Sequence, residues 1–241
     1  MSLVHENNQL QEHWRGVGTM QLAMCLDHIE NNVIRNRPDL VNHYVRQFHN
    51  VLGYRAMGEL RDGGLCAGAL YRSDEFVSIP QDSRNGSARV GNVHIEHTVP
   101  VNVLVSAIFS RYSTQRFVKQ SNATVQSGCS DWLASPLYDF LLTYSVTTAL
   151  TREQGRVEPT GIVKLGLAHA VNTPLEMNGL PFRRYLSEAT IFSVSGGTGP
   201  GVAEGQRIAM DQYTFECHRK RLVSLMNDVN RTDLLPPNWP Q

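Results

Sequence analysis

The chain predicts an α+β fold, mostly helical, with a small antiparallel β-hairpin carrying the stretch Gly91-Asn92-Val93-His94-Ile95-Glu96-His97-Thr98-Val99-Pro100. Three observations predict it. Apolar residues recur at three- and four-residue steps through the first fifty positions, the mark of amphipathic helices. Asn85-Gly86, a strong turn signal, precedes an alternating segment over 90–99, as in a hairpin. Helical spacing returns directly after Pro100.

Taken in order, Leu10, Trp14, Val17, Leu22, Leu26, Ile29 and Val33 describe one helix between Glu6 and Arg37, interrupted near its start by Gly16 and Gly18. Pro38-Asp39 breaks it, and Leu40, Val41, Tyr44, Val45, Phe48 and Leu52 form a second helix to about Gly53, so 1–54 reads as a helical hairpin. His28, His43 and His49 do not share one turn and read as structural or surface residues. Glycines 58, 63, 64 and 68 mark loops without the spacing of a phosphate-binding loop. A strand is expected within Leu65–Val77, ending near Asp74-Glu75, whose carboxylates are more often a solvated turn than a metal site. Beyond Pro100, Val101, Val103, Leu104, Ala107, Ile108 and Tyr112 predict a buried helix. Tyr144–Leu150 is β-branched enough to be a strand, with Thr151-Arg152-Glu153-Gln154 as the cap and start of a helix. Asn172-Thr173 precedes Pro174 as a helix cap. Ser193–Gly201 reads as a glycine-rich surface loop, Glu204–Asp228 as one long helix, and Leu234–Gln241 as a proline-rich tail pinned by Trp239.

Composition narrows the function classes. Hydrophobic residues at 41% and charged residues at 18% suit a folded globular chain, and 241 residues suffice for one domain with a sizeable core. Twenty-two basic residues balance 22 acidic ones, which argues against a protein that coats nucleic acid by electrostatics alone. Local basic clusters exist at Arg183-Arg184 and His218-Arg219-Lys220-Arg221. Cysteines 25, 66, 129 and 217 show no Cys-x-x-Cys spacing, so neither a structural zinc site nor a disulfide scaffold is indicated. No signal peptide and no apolar run of about twenty residues is visible, giving the expectation of a cytoplasmic protein with no membrane partner.

The chemistry concentrates at Glu96-His97. In an extended strand His94 and Glu96 point to one face, and Val93, Ile95 and His97 to the other. A twist or bulge at the strand end, which Thr98-Val99-Pro100 invites because Pro cannot donate to a ladder, would bring Glu96 and His97 toward one ion. Glu96-His97-Thr98-Val99-Pro100 resembles the first strand of HNH-type (ββα-metal) nucleases, and Leu167-Ala168-His169-Ala170-Val171-Asn172, followed by Pro181-Phe182-Arg183-Arg184-Tyr185, is weakly similar to their second half. The chain departs from the family in the length between Pro100 and His169, which requires a helical insertion, and in lacking an assignable Asn between the strands. The length favours a single domain over 1–241, with a nuclease-like core and its helical insertion over 55–192 and the glycine-rich loop, long helix and tail over 193–241, and the resemblance covers at most Gly91–Tyr185. The resemblance implies a metal-dependent endonuclease acting on DNA, with His97 as the general base and Arg184 on a phosphate. Glu96 and His169 or Asn172 would hold Mg2+ or Mn2+, with Zn2+ also admissible. It also requires His97 and His169 to lie close together. Two other classes stay open. One is a hydrolase of a small substrate with zinc on His94, Glu96, His97 and His169. The other is a non-catalytic helical interaction module that binds no metal.

Overall fold

Glycine sets the first joint of the chain. The structure, a computed structural model, describes residues 4–53, 66–86, 91–112, 130–155, 174–185, 190–194 and 206–239. Helix α1 (Val4–Arg15) stops where the Gly16 N–H turns back onto the carbonyls of Glu12 and His13, and α2 (Thr19–Ile34) restarts after Gly18. The stripe expected as one helix is therefore two. Asn36 closes α2 in the left-handed region at φ 51°, which an asparagine tolerates, and Pro38 opens α3 (Pro38–Gly53) where its missing N–H costs nothing. Leu22, Leu26, Ile29 and Val33 of α2 are buried, as are Val41, Val45, Phe48 and Leu52 of α3, and the two helices pack as the expected hairpin.

The small antiparallel hairpin is not what forms. β2 (Val93–His97) lies at one end of a five-stranded mixed sheet, in the order β2-β3-β1-β4-β5. The other strands are β1 (Tyr71–Ser73), β3 (Thr147–Thr151), β4 (Ile191–Ser193) and β5 (Gln206–Arg207). β1 and β3 run parallel and the other pairs antiparallel. The Asn85 turn does close on the start of β2: its carbonyl accepts from the N–H groups of Asn92 and Val93, and its own N–H donates to the Asn92 side chain. β2 pairs instead with β3, more than fifty residues later, because β3 is buried along its whole length and offers the apolar surface that the polar 81–86 segment lacks.

Among the described residues of the expected 65–77 strand, only Tyr71–Ser73 form a strand. Ser73 then caps α4 (Asp74–Ser78) by accepting from the Phe76 N–H, and Asp74 and Glu75 occupy its first turn, where the helix dipole favours acids. Helix α5 (Val101–Tyr112) follows Pro100 as expected. Ser135 caps α6 (Pro136–Tyr144), which feeds β3. At Thr151–Gly155 Gln154 accepts from the Thr151 N–H and the Thr151 hydroxyl accepts from the Gln154 N–H, the reciprocal bonding of the expected cap, and the residues that would continue a helix from it lie outside the described ones. The expected helix over 204–228 shrinks to α7 (Phe215–Asp228), capped by the Thr214 hydroxyl on the Cys217 N–H. Its expected first part supplies β5 and a turn through Gln212 and Tyr213.

The main core lies among the helices and one sheet face, with Tyr71, Leu104, Tyr138, Leu141, Phe182 and Phe215 at its centre. A smaller cluster of Cys66, Ala69, Phe76, Val93, Ile95 and Ala149 covers the other face. Trp239 is buried as expected, its indole donating to Asp139 at 2.6 Å under the Arg219 guanidinium. Among the described residues no helix is long and apolar enough to cross a membrane.

Candidate functional site

β2 keeps its alternation to the last residue, since His97 still pairs in register with Thr147 and no bulge intervenes. His94 and Glu96 therefore share one face, and His97 lies on the other, as the strand period requires. The expected convergence of Glu96 and His97 on one ion would need that missing bulge.

Glu96 is the centre of its face. Its Oε1 accepts from Arg184 Nη2 at 2.6 Å, and its Oε2 stands 3.3 Å from His94 Nε2, an ion-pair distance rather than an aligned hydrogen bond. Arg184 comes from the 3-10 turn Arg183–Tyr185, whose geometry sends Arg183 to solvent and Arg184 inward. Its Nη1 donates to the carbonyls of His97 at 3.2 Å and Thr98 at 3.5 Å, so the guanidinium holds the strand end as well as the carboxylate. Sequence reading places Arg184 on a phosphate. Here the guanidinium, only 2% exposed, is engaged by the protein itself.

Exposure rises from one side of the triad to the other: 2% for the Arg184 side chain, 13% for Glu96 and 26% for His94. Burial alone would raise the Glu96 carboxyl, but the donor group of His94 beside Oε2 and the charge of Arg184 outweigh it and hold the group below its ordinary 4.5. A fixed negative charge thus sits behind a half-open imidazole. Gly155, delivered by the Thr151–Gly155 turn, lies against that ring, and a Cβ at this position would overlap the His94 atoms Cε1 and Nε2.

On the opposite face His97 meets His49 of α3, the ring centroids 4.6 Å apart and the planes at 69°. His97 Nε2 and both ring nitrogens of His49 are buried without a hydrogen-bond partner among the described residues. Burial lowers His97 to about 4, with the charge of Arg46 adding to the effect and that of Glu96 opposing it. Burial likewise holds His49 well below 6.5. Both rings are neutral at physiological pH.

His169 and Asn172 lie outside the described residues, and so does the expected approach of His169 to His97. Among the described residues no group of three or more His, Cys, Asp or Glu side chains could hold one ion. Glu96, the expected Mg2+ or Mn2+ ligand, has both oxygens facing cationic or donor partners, so the described donors do not fit that role. Sequence reading assigned His49 a structural or surface role and overlooked Gly155. Their partners lie 48 and 61 residues away, and no local pattern signals such contacts. No family model, curated protein or solved structure matches the chain.

Proposed function

We propose that the chain is a hydrolase that activates water by general-base catalysis, with His94 as the base, Glu96 as the carboxylate that orients it, and a phosphodiester bond of DNA as the substrate class. What carries this reading is the Glu96 carboxylate fixed between the buried Arg184 and the partly exposed His94. A carboxylate beside Nε2 favours the tautomer with the proton on Nε2, which leaves Nδ1 as the basic nitrogen. Histidine exchanges a proton near neutral pH, so an imidazole held in one orientation can take a proton from water and return it to the leaving oxygen. Arg184 acts through Glu96: it keeps the carboxylate ionised and immobile. The substrate class rests on the resemblance of Glu96–Pro100 to the HNH strand, with the base moved from His97 to His94. A divalent ion, Mg2+ or Mn2+, supplies Lewis-acid chemistry in that family, and assays are run with each ion and with a chelator.

The purified chain is expected to cut or nick plasmid DNA. His94→Ala is expected to lower the rate roughly a hundredfold or more, within the range general-base catalysis supplies, with an unchanged circular dichroism spectrum. Gly155→Ala displaces the tip of one half-exposed ring, so we expect activity to fall about tenfold with little change in melting temperature, as for other misplacements of a catalytic group. A His94→Ala protein as active as the wild type would overturn the assignment of the base. Cleavage of a small phosphodiester but not of DNA would keep the base and change the substrate.

A further inference from the structure

We propose that Gln154 is a positioning residue for His94: its side-chain amide closes the turn that sets Gly155 against the imidazole, and so fixes the orientation of the ring. The kinetic part of this proposal rests on the hydrolase reading, with His94 as the base. The structural part stands without it. Gly155 is the point of contact, since a Cβ there would overlap the ring at Cε1 and Nε2, and the α-hydrogen that takes its place lies against the ring edge.

The turn that carries Gly155 is fastened in two places. Its first half is tied to β2, because the Arg152 N–H donates at 2.8 Å to the carbonyl of Asn92, two residues before His94. Its second half is tied by Gln154. The Thr151 N–H donates to Gln154 Oε1 at 3.2 Å, the Gln154 N–H to the Thr151 hydroxyl at 3.2 Å, and the Gly155 N–H to the Thr151 carbonyl at 3.1 Å. A local cap needs only the reciprocal pair. Gln154 Oε1 accepts a further bond, at 2.6 Å, from the hydroxyl of Ser73, a fully buried residue at the end of β1 and 81 positions away in sequence. A backbone N–H can only donate, so the atom that Thr151 meets is the amide oxygen, and the side chain is held in one orientation between the ends of the parallel strands β1 and β3. A catalytic group has to be kept within about 0.5 Å of its working position by neighbours that are themselves locked by packing and hydrogen bonds. Gln154 is such a neighbour: it is buried, bonded to both strands, and one residue from the glycine that touches the ring.

The test is NMR of the full chain with labelled histidine and glycine, the His94 signals being identified by their loss in His94→Ala. The wild type is expected to show a nuclear Overhauser effect between a Gly155 α-hydrogen and His94 Hε1. Gln154→Leu, which keeps the volume and loses both accepted bonds, should abolish that effect and lower kcat for DNA cleavage about tenfold at an unchanged KM. Gln154→Glu, whose carboxylate accepts the same two bonds, should keep the contact, as should Glu153→Gln at the exposed neighbour. Thr151→Val removes the other half of the reciprocal pair at nearly constant volume, and it serves where the leucine variant does not fold. A cap with a purely structural role would lower the melting temperature and leave the ring contact in place. That result in Gln154→Leu overturns the proposal, as do a missing contact in the wild type, loss of the contact in Gln154→Glu, or a leucine variant that loses it and still cuts at the full rate. If Gln154→Leu loses the contact while the wild type itself cuts no DNA, the ring is positioned as proposed and the hydrolase reading alone fails.

Discussion

Arg184→Met is expected to lower stability by about 3–5 kcal/mol, the usual consequence of removing one partner of a buried ion pair. The methionine preserves most of the volume and the stem packing, so the loss is electrostatic. Glu96 would stay buried with one oxygen unpaired, and the carbonyls of His97 and Thr98 would lose their donor. For a chain of this size, each kcal/mol corresponds to about 2–4 °C, so the melting temperature should fall by roughly 10 °C. Adding Glu96→Gln to Arg184→Met should restore part of the loss by removing the stranded charge, and the double-mutant cycle measures the coupling. Additive effects would show that the pair is not energetically coupled. The pH dependence has a definite sign. Glu96 titrates lower in the folded chain than its ordinary 4.5, so its contribution is present above that value and is lost as pH falls through the folded value.

The second large effect is acid lability beginning well above the carboxylate range. Burial lowers His218 to about 3, against a small opposing effect of its hydrogen bond to the Leu142 backbone, and burial similarly lowers His97 to about 4 and His49 well below 6.5. These rings fold neutral, while the unfolded chain takes up their protons near 6.5. Between pH 6.5 and 4 the unfolded state therefore binds more protons, and stability falls with pH by up to about 1.4 kcal/mol per unit for each ring. Urea unfolding at a series of pH values should show the midpoint dropping steeply below 6.5. His49→Phe should flatten the slope by close to one ring's share. A midpoint that stays level from 6.5 to 5 would mean that these rings are solvated or already protonated in the folded chain. His218 has a further constraint, since its Nδ1 accepts from Tyr71, whose hydroxyl also meets that of Tyr213 at 2.9 Å. Protonating His218 would remove that acceptor inside the core.

The helices were legible because burial imprints itself at a period the sequence displays: the stripes of α2, α3 and α5 are the faces that turn inward. The sheet was not. Strands of three, three and two residues at β1, β4 and β5 are too short to show an alternation, and β1 finds its partners nearly eighty and about one hundred and twenty residues away. The helix expected over 204–228 began too early because Ile208, Met210 and Tyr213 do pack against the core, but from a turn, and inward-facing residues in a turn mimic a helical stripe. At the site, local period correctly put His94 and Glu96 on one face, since a strand's alternation needs no tertiary information. The identity of the group behind Glu96 came from 88 residues further on, and two adjacent arginines, Arg183 and Arg184, look alike in sequence until the 3-10 turn points them in opposite directions.

Arg231 carries a consequence for the order in which this chain can fold. Its Nη1 donates to the carbonyls of Trp14, Arg15 and Val17, at the corner between α1 and α2, across more than two hundred residues of sequence. Tyr138 donates to the Leu234 carbonyl, and Trp239 to Asp139, from the same late segment. During synthesis that corner waits for the Arg231 donor until more than two hundred further residues have followed. Loops closed over such separations are entropically slow to form. Helices α1 and α2 and the segment 215–239 should then gain amide protection together, late, as a single cooperative unit.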